Sequence, residues 1–594
     1  MAYIIADSVI SPLGDSSMAN FESVVGGCSA LKSHSGKEFG LPEDFTASLL
    51  SREQCDALMV QVQDAGEQNF SHFEAKAFYC ALRALYKAQQ VSEKHPIDLK
   101  RTILILSSTK GEVELKGGRT VGENAKRIAS ALGLTTEAIA VSNACISGLS
   151  AMILAGRLLD QGTYDHAVVC GTDDVGPFVI SGFQSLKAMS PRACRPFDLE
   201  RMGLNLGEAA AAVVMSRQSV SREDWELYAG LVRNDACNLT SPSKTAEGQF
   251  RCLSGLLSSV HFDEEPDSIG FVNPHGTATF FNDQMESVAL RRAGISHLPA
   301  TALKGYFGHT LGAAGILETV MCMKAADNGL VPGTKGFERL GVSARMNLSP
   351  FHRPLGERKS FVKMLSGFGG CNAAVALRKC GVIHLENQAP GSAMEGNIAD
   401  DKFELCCCHR VFVSPGVAVV DNESLVGGKR ESSGFEFLSY LYKRFIVDYP
   451  RFHKMDRLSR LGFVASELLL QAECRERFTE TEDRAVVLFN SCSSVHTDRR
   501  YMATYEDSNN CYPSPSLFIY TLPNVVIGEM TIRNHWHGET ALYILSERNK
   551  TLEKEILEAT CRDEGLNSVL TGWLDYVSDE DYIAELAIYE IKRT

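Results

Sequence analysis

Val141-Ser142-Asn143-Ala144-Cys145-Ile146-Ser147-Gly148 is the stretch from which the fold can be read. Ala138 to Val141 is an apolar strand, and it runs straight into a helix, because Leu149 to Asp160 is amphipathic and rich in Ala, Leu and Ile. His166 to Cys170 reads as the next buried strand. Cys145 therefore stands at a strand-turn-helix elbow, in the first turn of the helix. Unpaired N–H groups and the positive end of the helix dipole favour an anion there, so its thiol is expected to ionise more readily than a free one. Taken alone this is a weak sign of chemistry, since free cysteine is often buried as a small hydrophobe.

Working outward, residues 2 to 10 form an apolar strand ended by the turn Ser11-Pro12-Leu13-Gly14. Phe70 to Gln90 is an alanine-rich helix and Thr102 to Leu106 a short, fully apolar strand. Strands alternating with helices predict an α/β fold whose sheets are covered on both faces. The chain has 594 residues, too many for one ordinary core, so two or more domains are expected.

A hydrophobic share of 44% and a charged share of 22% describe a globular protein. The net charge of −14 argues against general binding to nucleic acid or an anionic membrane. No apolar run approaches the length of a membrane span, and the start Met-Ala-Tyr-Ile-Ile-Ala-Asp lacks a basic n-region, so a cytoplasmic location is expected. The eighteen cysteines have no framework spacing and read as reduced thiols. Cys406-Cys407-Cys408 beside His409 cannot converge on one metal from a strand whose residues alternate faces, so no metal is expected.

Two later stretches give Cys145 its weight. Val272-Asn273-Pro274-His275-Gly276-Thr277-Ala278-Thr279 is followed by Asn282, Asp283 and Glu286. Leu303-Lys304-Gly305-Tyr306-Phe307-Gly308-His309-Thr310-Leu311-Gly312-Ala313-Ala314-Gly315 sets a second histidine in a glycine-rich turn before an apolar helix. With the loop Leu365-Ser366-Gly367-Phe368-Gly369-Gly370-Cys371-Asn372-Ala373, these motifs resemble, in order and spacing, the β-ketoacyl synthases of the Cys-His-His elongating type. Taken singly, each histidine would pass for a hydrogen-bonded structural residue and each glycine for a turn. The conjunction carries the argument.

The resemblance implies a thiolase-like five-layer αβαβα fold over residues 1–383. Its first half would run from Ala2 to about Arg217 and its second from about Glu226 to Lys379. It implies Cys145 as the acyl-carrying nucleophile, with His275 and His309 stabilising the enolate of a malonyl thioester. The backbone amides of Cys145 and Phe368 would form an oxyanion hole, Phe368 also gating entry. Lys304 and Glu286 are expected to form a buried pair that orients the histidines, with Asp283 in the same network. No bound cofactor is implied, because substrates arrive on the phosphopantetheine of an acyl carrier protein. Lys126 and Arg127, in a basic stretch with Lys110, Lys116 and Arg119, are candidates to receive that acidic carrier, although a solvated face explains them equally well. Family members are usually homodimers whose nucleophile-bearing halves meet. Met202 and Ala209-Ala210 depart from the family pattern, so the acyl tunnel could differ in shape.

Residues 384–403 lack a hydrophobic period and read as a linker. Beyond it, 404–594 resembles a second synthase first half. Val411 to Gly416 matches the opening strand and turn, Ala485 to Ser491 matches Thr102 to Ser108, and Tyr520 to Glu529 matches the helix before the nucleophile strand. In that register Glu547 falls where a cysteine would stand, Glu585 is aligned with Glu208, and no second histidine turn remains. The expectation is a degenerate half-domain that serves assembly, stability or docking of a pathway enzyme and takes no part in turnover. A non-catalytic chain-length factor or scaffold is the competing reading for the chain as a whole, disfavoured by intact Cys145, His275 and His309. His309 in its Gly-His-Thr setting also disfavours a thiolase or a Cys-His-Asn initiating synthase. Fatty acid, polyketide and polyene assembly all remain open as the pathway.

Overall fold

Short apolar segments, buried at every residue, make the middle of this protein, as Thr102–Ser107 and Ile139–Val141 illustrate. Such segments form parallel strands covered on both faces. A computed structural model describes residues 2–67, 69–92, 96–115, 117–261, 269–381, 403–426, 434–506 and 512–593. The expected linker lies outside the described residues except for Phe403, and so does Lys116.

One sheet of sixteen strands runs through the described residues. In chain order its strands are β1 (Ala2–Ile10), β2 (Thr102–Ser107), β3 (Ile139–Val141), β4 (His166–Asp173), β5 (Ala209–Ser216), β6 (Trp225–Asn234), β7 (Phe271–Asn273) and β8 (Ser360–Ser366). They continue as β9 (Cys371–Lys379), β10 (Phe403–Ser414), β11 (Val417–Val420), β12 (Glu423–Ser424), β13 (Arg484–Asn490), β14 (Thr540–Ile544), β15 (Ser568–Ser578) and β16 (Asp581–Arg593). Their spatial order is β7-β8-β9-β6-β1-β5-β4-β2-β3-β14-β13-β15-β16-β10-β11-β12.

The helices that matter below are α1 (His72–Val91), α2 (Val121–Ala131), α3 (Ser147–Gln161), α4 (Phe280–Arg292), α5 (Ala314–Asp327), α6 (Arg457–Ala472), α7 (Val525–Asn534) and α8 (Lys550–Thr560). Buried residues fall on every side of α3 and α5, as befits helices enclosed in the interior. Glycine lets their N-terminal ends meet: a Cβ on Gly315 would stand 2.6 Å from Leu149 N, and one on Gly148 would stand 3.0 Å from Gly312 O. This is the thiolase-like fold with an additional C-terminal α/β half-domain.

The centre of the sheet is β3 against β14, an antiparallel pair in which Val141 faces Tyr543 and Ala140 faces Ile544. Strand order and direction repeat outward from it on both sides. β2 is parallel to β3 and β4, as β13 is to β14 and β15. Thr102 faces His166 where Arg484 faces Ser568, and Ile105 faces Ile139 where Val487 faces Ala541. Six residues past Ile139 is Cys145, and six past Ala541 is Glu547. Even the carboxylates on these strands correspond. Asp173 accepts from Ser108 Oγ and the Thr109 and Lys110 amides, while Asp575 accepts from Ser491 Oγ and the Ser491 and Cys492 amides.

The alignment of Glu585 with Glu208 does not hold. Asp173 faces Ala209 and Asp575 faces Ile583, so the position of Glu208 is taken by Tyr582. Glu585 instead pairs with Arg548 at 2.7 Å. The edge of β3 is filled by the chain's own β14.

Candidate functional site

The elbow after β3 forces Ala144 into the left-handed region, at φ 48°. For a residue with a Cβ this is a strain of about 1–3 kcal/mol, which the surrounding packing must sustain. Asn143 is buried, and its backbone amide donates to Ser147 Oγ at 2.9 Å. Cys145 follows in a 3-10 turn, Ala144–Ile146, that leads into α3. Its sulfur faces a cavity of about 450 Å³, which is also lined by His275, His309 and Phe368.

His309 Nε2 lies 3.0 Å from Cys145 Sγ. His309 Nδ1 accepts the Leu311 amide at 3.4 Å, which leaves the proton of the neutral ring on Nε2, toward the sulfur. The His275 and His309 rings stand edge to face with centroids 5.0 Å apart. Phe368 sits on a turn pressed against the elbow, since a Cβ on Gly367 would lie 3.2 Å from Cys145 N. Sequence motifs spread from Cys145 to Phe368 thus converge on one point.

Beneath the histidines is a buried charge cluster. Lys304 Nζ donates to His275 O at 2.7 Å and to Glu318 Oε1 at 2.6 Å. Lys363 Nζ donates to Glu318 Oε2 at 2.7 Å and to Met364 O at 3.0 Å. The expected Lys304–Glu286 pair is therefore corrected: the partner is Glu318, on α5. Glu286, on α4, accepts the His275 and Gly276 amides at 2.6 and 2.8 Å and so clamps the histidine turn from the other side. Asp283 accepts the Phe197 and Ala278 amides at 2.6 and 3.1 Å. Burial pushes Asp283 up to about 6, and burial together with Asp283 raises Glu286.

Two lysines against one carboxylate leave an excess of positive charge under the site. Both histidines are held well below the ordinary imidazole value, first by burial and then by Lys304, with Lys363 adding to it. They are neutral donors at pH 7. The Cys145 thiol goes the opposite way from the expectation drawn from its helix. Burial raises it to about 12, and the lowering effects of Lys304 and its own amide do not offset that cost. Partial helix charge is a weaker influence than loss of water around a sulfur anion.

Donor atoms of Cys145, His275 and His309 lie within 4.8 Å of one another, but the excess ammonium charge of Lys304 and Lys363 opposes a cation there. A second such group, His72, Asp174 and Glu208, already encloses the Lys76 ammonium, 2.6 Å from each carboxylate.

The basic stretch is spent on internal partners. Lys110 is buried and pairs with Asp498 across the seam to the C-terminal domain. Arg127 pairs with the fully buried Glu74 at 2.7 Å, Arg119 with Glu74 and Glu112, and Lys126 with Glu547 at 3.0 Å. None of them lines the cavity. The cavity is instead lined on one side by Thr277, Thr279, Phe280 and Phe281, with Met202 exposed among them.

Sequence reasoning missed Glu318 and Lys363. Lys363 did leave a signal, as the single charge in the apolar strand Ser-Phe-Val-Lys-Met-Leu-Ser. Glu318 left one too, a carboxylate on a helix otherwise apolar at that level.

The family model for the β-ketoacyl synthase N-terminal domain matches residues 103–221, and that for its C-terminal domain matches 227–338. Nodulation protein E of Rhizobium leguminosarum bv. trifolii is 27% identical over 288 residues, which is 47% of this chain and 71% of that protein. The 3-oxoacyl-[acyl-carrier-protein] synthase 2 of Rhizobium meliloti (strain 1021) is 30% identical over 255 residues, 40% of this chain and 60% of that one. The chain thus spans between about three fifths and seven tenths of these relatives' lengths. Among solved structures, the PfaC keto synthase-chain length factor superposes over 100% of this chain and 78% of its own with a TM-score of 0.72 at 15% identity, a likeness of fold. The N-terminal match contains Cys145 and the C-terminal match contains His275 and His309, so residues 103–338 of this chain belong to the β-ketoacyl synthase family.

Proposed function

We propose that this protein is a β-ketoacyl-[acyl-carrier-protein] synthase, in which residues 1–383 carry out decarboxylative Claisen condensation. The observation that carries this reading is His309 Nε2 at 3.0 Å from Cys145 Sγ, with His275 beside it over an open cavity.

In the first step Cys145 Sγ attacks the carbonyl carbon of an acyl thioester on the phosphopantetheine of a carrier. The C=O electron pair moves onto oxygen, where the Cys145 and Phe368 amides receive it, and collapse expels the pantetheine sulfur. The proton that leaves Cys145 is the one the departing thiolate takes up, so none is gained or lost. In the second step a malonyl thioester releases carbon dioxide. The electrons of the broken C–C bond form an enolate whose oxygen takes hydrogen bonds from the neutral His275 and His309. The enolate carbon then attacks the Cys145 thioester, and Sγ leaves with the electron pair and takes up one proton from solvent, which restores the thiol and balances the carboxylate lost as carbon dioxide.

Residues 404–594 are, in this reading, a copy of the synthase first half that has lost its nucleophile at Glu547. It stands where a second subunit would, against β3, so the chain is its own pair and no homodimer forms through that edge. The repeated register of β2–β3–β4 in β13–β14–β15 supports this. The chain-length-factor reading fits this domain, where the site residues are missing, and does not fit the first. The free thiols among the described residues suit a cytoplasmic location.

Intact-protein mass after incubation with acyl-carrier thioesters of several lengths tests the assignment. One acyl adduct is expected, absent from Cys145→Ala. No adduct on a folded protein would reject it.

A further inference from the structure

Both sides of the site's thioester cradle are held by the C-terminal domain. On one side, Asn143 stands two residues before Cys145. Its Oδ1 accepts the Leu542 amide at 2.8 Å, and the Ser142 amide donates to Leu542 O at 3.1 Å, so the β3–β14 ladder continues up to the elbow. On the other side, Asn524, at the start of α7, donates Nδ2 to Phe368 O at 2.8 Å. That bond crosses between domains and is partly buried, with Asn524 4% exposed and Phe368 half-buried.

The turn has reason to need an outside anchor. Phe368 is followed by Gly369 and Gly370 at φ 89° and 76°, and preceded by Gly367, so the peptide planes around it are free to rotate at small cost. Gly367 N is tied to Cys371 O at 2.8 Å and Gly369 N to Leu239 O at 2.7 Å. Between these ties, Phe368 O is reached by Asn524 Nδ2 and, more weakly, by Cys371 Sγ at 3.4 Å. Helix α7 lies flush on the turn: a Cβ on Gly369 would come within 2.8 Å of Asn524 Nδ2, and one on Gly528 within 2.9 Å of Gly369 O.

We propose that Asn524 is a positioning residue for the condensing reaction. By fixing the Phe368 carbonyl it fixes the turn whose amide faces the acyl oxygen on Cys145, so the C-terminal domain takes part in turnover although it has no nucleophile. This rests on the condensing reading above, in which the Phe368 amide is an oxyanion donor. Because developing charge is stabilised only by donors already in place, a turn displaced by a fraction of an ångström lowers the rate of acyl transfer without blocking access to the sulfur.

The test compares two reactions of the full-length protein at Cys145. Acyl transfer from an acyl-carrier thioester passes through a tetrahedral oxyanion, whereas alkylation by iodoacetamide displaces iodide at an sp³ carbon and needs no such donors. Asn524→Leu removes the donor at nearly constant volume, Asn524→Asp turns a carboxylate oxygen on the Phe368 carbonyl, and Asn524→Ser fits within the space if the larger side chains disturb folding. For each, acyl transfer is expected to fall roughly tenfold or more in kcat, with KM for the carrier and the alkylation rate within about twofold of wild type. Wild-type rates of acyl transfer in all three folded variants would overturn the inference alone. So would a parallel fall in both reactions, which marks general disruption of the site. A wild-type protein that alkylates but never acylates would defeat the condensing reading, and this inference with it.

Discussion

Lys363 holds Glu318 at 2.7 Å on the carboxylate oxygen that Lys304 leaves open, so one buried carboxylate serves two buried ammonium groups. The imbalance acts on the histidines above. Both are kept neutral by burial and by these two positive charges.

A folded-state value far below 6.5 means that the neutral, donating form persists as pH falls through the ordinary imidazole range. Condensation by the wild-type protein should therefore show no acid limb at pH 6.5, its loss beginning at lower pH. Lys363→Met removes one of the depressing charges, so the limb should move upward toward 6.5. It should also lower Tm, since opening a buried pair costs on the order of 3 kcal/mol. A pH–rate profile of both proteins over the range in which they stay folded checks this.

The Cys145 thiol, pushed up to about 12, predicts slow alkylation at neutral pH that keeps rising with pH. The thiolate fraction grows tenfold per unit below the pKa, so no plateau should appear between pH 7 and pH 10. A thiol activated by its helix would level off near pH 7. Iodoacetamide rates followed at Cys145 by peptide mass separate the two.

Glu547, six residues past Ala541 as Cys145 is six past Ile139, forms an exposed pair with Lys126. Such pairs contribute about 0–1 kcal/mol. Glu547→Ala should leave kcat within about twofold and Tm within a degree or two, as judged by steady-state rates and thermal melts.

Arg127→Glu tests the basic stretch. Glu74 has no exposed surface and relies on Arg127 at 2.7 Å, so the reversal should destabilise the fold by about 2 kcal/mol, allowing for Arg127's partial exposure. If α2 does not receive the carrier, the KM for acyl carrier should stay unchanged at low salt. A rise in KM without a fall in Tm would restore α2 as the docking surface.

What the sequence disclosed was the set of features with a local signature. The elbow at Cys145, the turns at His275 and His309 and the Gly-Phe turn each sit in a distinctive run of residues, and the repeated strands after residue 404 could be matched by apolar pattern. What it hid were pairings set by the packing of distant elements. Lys304 meets Glu318 rather than Glu286 because α5 runs beneath the histidine turn. Glu585 slips from the expected alignment because register across β15 and β16, not spacing from the chain end, decides equivalence. The thiol's direction was misjudged because burial depends on α3 being enclosed, which no local pattern encodes.

The most direct measurement is of the condensation itself: acyl-carrier and malonyl-carrier thioesters mixed with the protein, with the product chain read by mass and released carbon dioxide counted. A β-ketoacyl carrier thioester two carbons longer than the primer and one carbon dioxide per product are expected, and neither from His309→Ala, which should still accept iodoacetamide at Cys145. An acylated Cys145 that never yields an elongated product with any malonyl carrier would contradict the condensing reading.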